Sequence, residues 1–278
     1  SLVFCSKIHY MRFCYHFCLF FISLFSSISN AQSSLTLDDW KEYKFRNIGP
    51  AGMSGRITAI DVDPFDDSRI FLGAASGGLW LSENGGISFK PIFDDQSNLS
   101  IGSIKINPRN PSHIWVGTGE GNPRNSLNTG NGIYKSLDGG LTWKCMGLEK
   151  TKVIHRIIIN KDNPDIVYVA AMGSPWGPNE ERGVYKTIDG GVSWKRILFV
   201  NGLTGAADMI VDPTNPDKLV ASMWEHERKP WFFNSGGEGS GLYITYNGGD
   251  TWEKIEAKDG IPKGKLGRIG LAIAASKP

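Results

Sequence analysis

One eight-residue turn recurs four times in the chain, at residues 82–89, 136–143, 187–194 and 245–252. Every copy reads hydroxyl, any residue, Asn or Asp, Gly-Gly, any residue, Ser or Thr, aromatic. The Asn or Asp side chain hydrogen-bonds the backbone of its own turn, and the two glycines supply positive φ. Such a turn joins two antiparallel strands, so four copies at near-equal spacing predict a repeat protein. The turn-stabilising Asn and Asp residues are Asn84, Asp138, Asp189 and Asn247.

Each turn lies in a unit with the same order of short apolar segments. A first apolar segment ends at a proline-containing bend, and a second segment, a loop of variable length, a third segment, the repeated turn and an aromatic-bearing fourth segment follow. Proline cannot pair inside a central strand, so it marks the bend. This order predicts an all-β chain, a β-propeller of four-stranded antiparallel blades. The predicted blades cover residues 56–93, 103–148, 156–199 and 208–255, and the first strand of a fifth lies in 266–278.

Four blades and one strand predict an incomplete propeller, because a propeller closes only where its last blade meets its first. We therefore interpret the chain as the N-terminal part of a longer protein whose remaining blades pack against it. Residues 32–55 form a lead-in that contains Trp40, Tyr43 and Phe45. We predict that this lead-in supplies the strand that completes the last blade.

Residues 1–31 are typical of a secretory signal peptide. Met11 and Arg12 precede an apolar run over residues 13–25, and Ser29-Asn30-Ala31 ends the segment with small residues at the positions that signal peptidase requires. The run is too short for a membrane span. Residues 1–10 contain no Met, and we interpret them as sequence upstream of the true start. The expected location is secreted, periplasmic or cell-surface, with no integral membrane segment after cleavage.

The charge and cysteine content exclude several classes of function. Removing Lys7 and Arg12 with the signal peptide from the 30 basic residues leaves 28, which equals the 28 acidic ones. A neutral chain has no electrostatic basis for binding nucleic acid or an anionic membrane surface. Cys145 alone remains after cleavage, and the histidines lack ligand spacing, so we expect no disulfide, no metal and no cofactor.

The repeated turn resembles the Asp-box, or bacterial neuraminidase (BNR) repeat. The wider pattern is similar to large secreted bacterial proteins of the sortilin N-terminal-domain-like and repeat-type glycosyl hydrolase families, including xyloglucanase-like propellers. The stretches that carry the resemblance span nearly all of residues 40–278, and they are 45–50 (FRNIGP), 117–120 (GTGE), 124–126 (RNS), 176–183 (WGPNEERG) and 235–237 (SGG). The resemblance implies a propeller fold, a scaffold that hosts many functions.

Strand alternation assigns the connections to two faces. The proline bends and the repeated turns fall on one face, here called the bottom, and the variable loops 119–131, 173–182 and 225–241 fall on the opposite, top face. The top loops combine aromatic and charged side chains, which suit a glycan, peptide or protein ligand. The alternative is that their aromatic rings pack the loops onto neighbouring blades. The candidate ligand-binding residues in these loops are Arg124, Trp176, Glu180, Arg182 and Trp231.

A second candidate site follows from aligning the innermost strands. The residue that opens this strand is Arg56, Ser103, Arg156, Asp208 and Arg268 in successive units. Three arginines at one equivalent position would hold a carboxylate or phosphate from several sides. The alternative is that each arginine pairs with an acid, such as Glu120 or Asp208, and holds the blades together.

Glycoside hydrolysis needs two carboxylates roughly 5 to 9.5 Å apart, and Glu120 and Asp208 are the candidates. The sequence cannot pair them. The Phe-Arg-Ile-Pro motif of sialidases is interrupted in residues 45–50. Where xyloglucanases carry a catalytic aspartate just before a Val-Gly-Gly-like step, this chain has Ala75, followed by Ser76-Gly77-Gly78.

Two hypotheses for the function remain open. The first is a secreted propeller scaffold that binds a glycan, peptide or partner protein through its top-face loops. The second is a glycoside hydrolase, xyloglucanase- or sialidase-like, with part of its active site in C-terminal blades. Measuring glycan binding and the release of reducing ends by the complete protein separates the two hypotheses.

Overall fold

The computed structural model describes residues 56–122 and 124–278. The expected signal peptide (1–31) and the lead-in (32–55), with its closing strand and residues 45–50, lie outside the described residues. Within the described part of the chain, no helix is long and apolar enough to cross a membrane.

Four antiparallel sheets follow one another along the chain, and each has its strands in sequence order. Blade 1 consists of β1 (Ile57–Asp63), β2 (Asp66–Ala74), β3 (Leu79–Ser82) and β4 (Lys90–Pro91). Blade 2 consists of β5 (Ile101–Ile106), β6 (Ile114–Thr118), β7 (Ile133–Ser136) and β8 (Lys144–Cys145). Blade 3 consists of β9 (Ile154–Ile159), β10 (Val167–Ala171), β11 (Gly183–Thr187) and β12 (Lys195–Leu198). Blade 4 consists of β13 (Thr204–Val211), β14 (Leu219–Lys229), β15 (Phe232–Ser235), β16 (Gly241–Thr245) and β17 (Glu253–Ile255). These sheets confirm the predicted all-β propeller architecture.

The segment 225–241 was expected to be a loop, and this expectation is wrong. Strand β14 continues to Lys229 and pairs with β15, so the segment forms a β-hairpin that extends blade 4 on the top face. Arg228 lies opposite Phe233 and Lys229 opposite Phe232. The turn at Pro230 and Trp231 separates two runs of long or aromatic side chains, which favour extended backbone.

Residues 267–273, where the first strand of a fifth blade was expected, run along the inner side of blade 4. The Ser222 hydroxyl donates to the Ile269 carbonyl (2.7 Å), and the Leu271 N–H donates to Asp208 Oδ2 (3.0 Å). No strand is assigned to this segment among the described residues. The inner strand of a blade pairs with the second strand of the same blade. The described residues contain no second strand that pairs with residues 267–273.

The repeated turn has the same hydrogen bonds in every blade. In blade 2 the Ser136 hydroxyl donates to Asp138 Oδ1 (2.8 Å), and the Gly140 N–H donates to Ser136 Oγ (2.8 Å). The Thr142 N–H and hydroxyl donate to the two oxygens of Asp138 (2.9 and 2.5 Å). The same set recurs around Asn84, Asp189 and Asn247. In the two Asn copies, the side-chain amide donates to the hydroxyl instead.

In blades 2, 3 and 4 the repeated turn also contacts two other features, the proline bend of its own blade and a cation of the preceding blade. The Gly139 N–H donates to the Ser112 carbonyl in the proline bend of the same blade (2.9 Å), so both kinds of turn lie on one face as expected. The Gly139 carbonyl accepts from Arg69 of the preceding blade (3.0 Å). Equivalent bonds reach Gly190 from Lys135 and Gly248 from Lys186.

The core lies between successive blades and is closed by the turn's aromatic residue. Trp143 packs against Phe93 of blade 1, with ring centroids 5.1 Å apart, and its indole N–H donates to the Ile92 carbonyl (2.8 Å). In blade 3, Trp194 repeats this arrangement on Met146 of blade 2 (2.7 Å). The turn therefore determines both the end of its own hairpin and the packing of its blade on the preceding one.

We expect Asp138→Ala to lower the melting temperature at pH 7, because it removes the acceptor of three hydrogen bonds. Asp138→Asn is the matched control, since Asn84 and Asn247 hold the same turn, and it should keep the wild-type value. Thermal unfolding followed by circular dichroism measures both. An equal loss in the two variants would contradict the account.

The same variants have a predictable pH dependence. Hydrogen bonds from the Thr142 hydroxyl, the Thr142 N–H and Ser136 lower the pKa of Asp138 to about 2. Because the folded pKa lies below the ordinary value, this stabilisation is complete above about pH 4 and is lost as the pH falls through 2. Asp138→Asn should therefore lose less stability than the wild type between pH 4 and pH 2.

Candidate functional site

The top face has a depression of about 420 Å³ between blades 1 and 2. Serine hydroxyls and Asn and Thr side chains form most of its wall, together with Leu127 and Trp176. The lining residues are Ser76, Ser97, Asn98, Leu99, Ser100, Leu127, Asn128, Thr129 and Trp176. Two hydrogen bonds hold its polar walls together, from Asn98 Nδ2 to the Thr129 carbonyl (2.9 Å) and from Ser100 Oγ to the Asn128 carbonyl (3.1 Å). The volume lies in the range of small-ligand sites, and the depression is open to solvent and mainly polar.

Trp176 joins the depression to the blade 4 hairpin. Its half-buried side chain lines the depression, and its carbonyl accepts from Lys229 Nζ in the hairpin (2.8 Å). The neighbouring Pro175 carbonyl accepts from the Arg228 N–H (2.7 Å). At the hairpin tip, Trp231 is 80% exposed. The top face thus presents two tryptophans on elements that are hydrogen-bonded to each other.

Arg182 holds these elements in place from below. Its side chain is fully buried, and its guanidinium donates to the carbonyls of Ser174 (2.7 Å), Leu203 (2.6 Å) and His226 (3.2 Å). It donates to the Gly177 carbonyl as well (3.3 Å). Arg182 was expected to bind ligand, but a guanidinium with no exposed surface acts on a ligand only through the loops that it positions. Burial lowers the pKa of Arg182 to about 10, so the group stays charged at neutral pH.

His226 completes this buried arrangement as a neutral imidazole. Its ring stacks on Trp224 with centroids 4.3 Å apart, and Arg182 donates to its Nδ1 (3.1 Å). Burial, together with the positive charge of Arg182, lowers the pKa of His226 to about 3. A proton on this ring would face a buried cation, so the folded protein favours the neutral form.

Two ion pairs lie along the inner edge of the blades. Arg56 makes a two-point contact with the fully buried Glu120, with Nε at 2.8 Å from Oε1. Arg156 Nε donates to Asp208 Oδ1 (2.7 Å). These are the pairings that the sequence offered as the alternative to ligand binding.

The register of the inner strands differs from the alignment in one position. Each inner strand has a bulge at the same point, and the residue directly after it is Arg156 in blade 3, opposite Ala170, and Ala59 in blade 1, opposite Gly73. Arg56 lies three residues earlier. Its expected equivalence to Arg156 is therefore wrong, although Ser103 and Asp208 do occupy the position of Arg156.

Both candidate catalytic carboxylates are held in structural contacts. Burial disfavours the charged form of Asp208, but hydrogen bonds from Arg156 and from the N–H groups of Leu271 and Met209 outweigh it and lower its pKa. Asp208 is therefore an ionised acceptor and not a proton donor. Glu120 is fully buried against Arg56. The nearby Ala75 is buried as well, and its N–H donates to the Arg56 carbonyl (2.9 Å).

Arg268 lies beside these pairs and contacts neutral groups. Its guanidinium donates to Asn122 Oδ1 (2.9 Å) and to His155 Nε2 (2.6 Å), and it lies 5.6 Å from the ring centre of Trp224. Burial, with the charges of Arg268 and Arg156, lowers the pKa of His155 to about 4. Gly121 permits this packing, because a Cβ there would overlap the His155 ring.

The remaining candidates lie on the surface of the top face. Arg124 is exposed in the long loop of blade 2, and Glu180 is exposed in the loop of blade 3, where its carbonyl accepts from Arg196. Sequence reasoning missed Asn122, His155, Trp224 and the depression wall at 97–100 and 127–129. A Gly beside a polar residue in a long loop, as in Gly121-Asn122, is the one signal that marks a close contact there.

Comparisons with known proteins support the propeller assignment. A family model described as sortilin, neurotensin receptor 3, matches residues 131–260. The xyloglucanase Xgh74A of Acetivibrio thermocellus is 26% identical over 229 residues, which are 70% of this chain and 25% of that protein. A xyloglucanase of a Paenibacillus species is 25% identical over 231 residues, 74% of this chain and 21% of that protein. The chain thus spans about a quarter of the length of these curated relatives.

Solved structures give the same result. The crystal structure of a GH74 enzyme from Niastella koreensis matches with a TM-score of 0.54 and 25% identity, over 71% of this chain and 29% of that one. The GH74 xyloglucanase of Xanthomonas campestris matches with a TM-score of 0.53 over 73% of this chain and 30% of that one, and at 20% identity it shows the fold alone. The resemblance to sortilin-like and repeat-type glycosyl hydrolase propellers is confirmed.

We expect Arg182→Ala to lower the free energy of unfolding by about 3 kcal/mol or more, because it leaves several buried carbonyls without a donor. The control is Arg124→Ala on the exposed loop, which should change it by about 0.5 kcal/mol or less. Denaturant unfolding measures both, and limited proteolysis should cleave the loop 173–182 faster in the Arg182 variant. An unchanged free energy in Arg182→Ala would contradict its role.

The low pKa of the buried His226 gives a predicted dependence of the melting temperature on pH. The pKa of His226 is about 3 in the folded protein and about 6.5 in the unfolded chain. Between pH 6.5 and pH 3 the unfolded chain therefore binds a proton at this residue and the folded protein does not, so stability falls as the pH falls. The melting temperature should fall, and His226→Gln, whose amide oxygen accepts from Arg182, should flatten that slope. His113→Gln on the bottom face, at a less buried ring, should flatten it less. Equal slopes for wild type and His226→Gln would overturn the assignment.

Proposed function

We propose that this chain is the glucan-binding part of a secreted, xyloglucanase-like glycoside hydrolase. The observation that carries the proposal is the top-face depression of hydroxyl and amide groups beside Trp176, in a chain similar to xyloglucanases. The predicted signal peptide supports secretion. The chain spans about a quarter of the length of its xyloglucanase relatives, and we propose hydrolysis for the complete protein.

The chemistry of the depression fits a polysaccharide of neutral sugars. A pyranose ring has two apolar faces of C–H groups and an equator of hydroxyls, so it pairs with an aromatic ring below and with short polar side chains around it. Trp176 provides the ring, and the exposed Ser76 and Asn128 provide hydroxyl and amide groups. Trp231 provides a second ring on the hairpin that is hydrogen-bonded to the Trp176 loop.

The rigidity of the two aromatic elements supports binding. Arg182 fixes the loop 173–182 and the hairpin base through buried hydrogen bonds, so little conformational entropy is lost when a sugar stacks on them. Loops that are already ordered bind ligand more tightly than loops that must be ordered on binding. Ordered loops favour glycan, peptide and protein ligands alike, and the polar depression favours the glycan.

Hydrolysis is assigned to the complete protein and not to Glu120 or Asp208. Each of these carboxylates is held by an arginine, and a general acid has to be protonated and free to reach the glycosidic oxygen. This blade resembles a blade of the xyloglucanases, and those enzymes carry an aspartate at the position of Ala75. A second candidate function, a binding scaffold without hydrolysis, is favoured by these same ion pairs.

Binding is tested with xyloglucan oligosaccharides and the complete protein by isothermal titration calorimetry. We expect Trp176→Ala and Trp231→Ala each to weaken the affinity about tenfold or more, since stacking on an aromatic ring is lost. Tyr246→Ala is the matched control, because Tyr246 is an exposed aromatic residue (60%) in a bottom-face turn. Unchanged affinity in both Trp variants would disprove the binding surface.

The two functions are separated by product analysis of the same complete protein. Release of reducing ends from xyloglucan, retained in Glu120→Gln, supports the hydrolase with its carboxylates elsewhere. Tight binding without release supports the scaffold.

A further inference from the structure

The inner ends of the four blades meet in a cluster of charged and polar side chains on the top face. The members of this inner-edge cluster are Arg56, Glu120, Asn122, His155, Arg156, Asp208 and Arg268. They come from blade 1, the long loop of blade 2, the inner strands of blades 3 and 4, and the segment after blade 4. None of these contacts depends on the depression described above.

The charges of the inner-edge cluster do not cancel. Glu120 balances Arg56, and Asp208 balances Arg156. Arg268 is left with Asn122, the neutral His155 and the face of Trp224 as its contacts among the described residues. Counted over the described residues, the cluster therefore carries one positive charge in excess.

The groups that hold the excess charge are accessible. Arg156 binds Asp208 through Nε, its side chain is 46% exposed, and its terminal nitrogens have no hydrogen bond within the described part of the chain. Arg268 is exposed as well. Arg156 and Arg268 are connected through shared neighbours. Arg268 donates to Nε2 of His155, the residue before Arg156 (2.6 Å), and the Leu271 N–H donates to Asp208, the partner of Arg156 (3.0 Å).

A buried, unpartnered nitrogen lies in the same cluster. His155 Nε2 accepts from Arg268, which leaves the proton of the neutral ring on Nδ1, and Nδ1 has no hydrogen-bond partner among the described residues. A buried donor without a partner is costly, and such groups concentrate at functional sites. Gly121 leaves room for the ring in this orientation, because a Cβ there would overlap His155 Nδ1.

We propose that Arg156 and Arg268 bind the carboxylate of an acidic sugar, a hexuronic acid residue carried by the polysaccharide. This inference rests on the proposed function, because it names an acidic substituent on the glycan that the top face binds. A carboxylate brings one negative charge, which equals the excess of the cluster, whereas phosphate at neutral pH brings nearly two. The planar fork of each guanidinium matches the two oxygens of a carboxylate.

The test uses a matched pair of ligands with the complete protein. One ligand is a xyloglucan oligosaccharide that carries a hexuronic acid branch, and the other is the same oligosaccharide with its carboxyl reduced to an alcohol. Calorimetry should give at least tenfold tighter binding of the acid form, and the difference should shrink as salt is raised. Equal affinity of the two forms would overturn the proposal.

Variants assign the difference to the cluster. Arg268→Gln should bring the acid form to the affinity of the reduced form and leave the reduced form unchanged, while Lys90→Gln on an exposed strand of blade 1 should change neither. Arg268 contacts neutral groups, so its variant should keep the wild-type melting temperature, and this is measured in parallel. Arg156→Gln leaves Asp208 without its arginine, so it serves only as a second variant if it folds.

Two further measurements are needed. One identifies the chemical class of the anion, and the other separates failure of the carboxylate site from failure of the proposed glycan surface. If inorganic phosphate or an acidic peptide competes more strongly than glucuronate, the assignment to a uronic acid is overturned. If Trp176→Ala loses both ligands, the proposed glycan surface holds. If the acid form binds only through Arg268 while Trp176→Ala and Trp231→Ala have no effect on either ligand, the proposed function fails and the carboxylate site stands.

Discussion

The hydrogen bonds of the hydroxyl, Asx, Gly-Gly turn determine where everything else in this structure lies. One turn closes its own hairpin, accepts a cation from the preceding blade at its glycine carbonyl, and sends an aromatic ring into the preceding blade. Blades 2, 3 and 4 are therefore each oriented on the preceding blade by a turn of only eight residues. With the turns fixed to the bottom face, the variable connections of every blade emerge together on the top face, where the depression and the inner-edge cluster form.

The top face is built by a different kind of interaction. Its loops have no repeated sequence, and they depend on a single buried cation, Arg182, to satisfy the carbonyls of three segments at once. A buried charge is unfavourable unless it is hydrogen-bonded, so a rearrangement that moved these carbonyls away would leave the guanidinium of Arg182 without its acceptors. Trp224 links this arrangement to the inner-edge cluster, because it stacks on His226 and lies under Arg268. The aromatic surface and the cluster are thus parts of one connected region.

The fold could be predicted from the sequence because its determinants are local. Asp138 and its three relatives act within eight residues, and strand alternation alone places the two faces. The site could be predicted only in outline, because it depends on which residue, far away in the sequence, each side chain contacts. Arg124 and Arg182 look alike in sequence, yet one is exposed and the other is wholly buried. The strand pairing puts Ala59, three residues after Arg56, at the position of Arg156, and the apolar pattern of the first strand does not reveal this offset. The hairpin at residues 225–241 was missed because charged and aromatic residues hide its alternation.

The central claim is that the top face binds a polysaccharide while the bottom face serves the architecture. Hydrogen exchange of the complete protein with and without a xyloglucan oligosaccharide tests it most directly. The account predicts new protection at residues 97–100, 127–129 and 174–182 and in the hairpin, with unchanged exchange in the four repeated turns. Protection confined to the repeated turns, or no protection at saturating oligosaccharide, would contradict it.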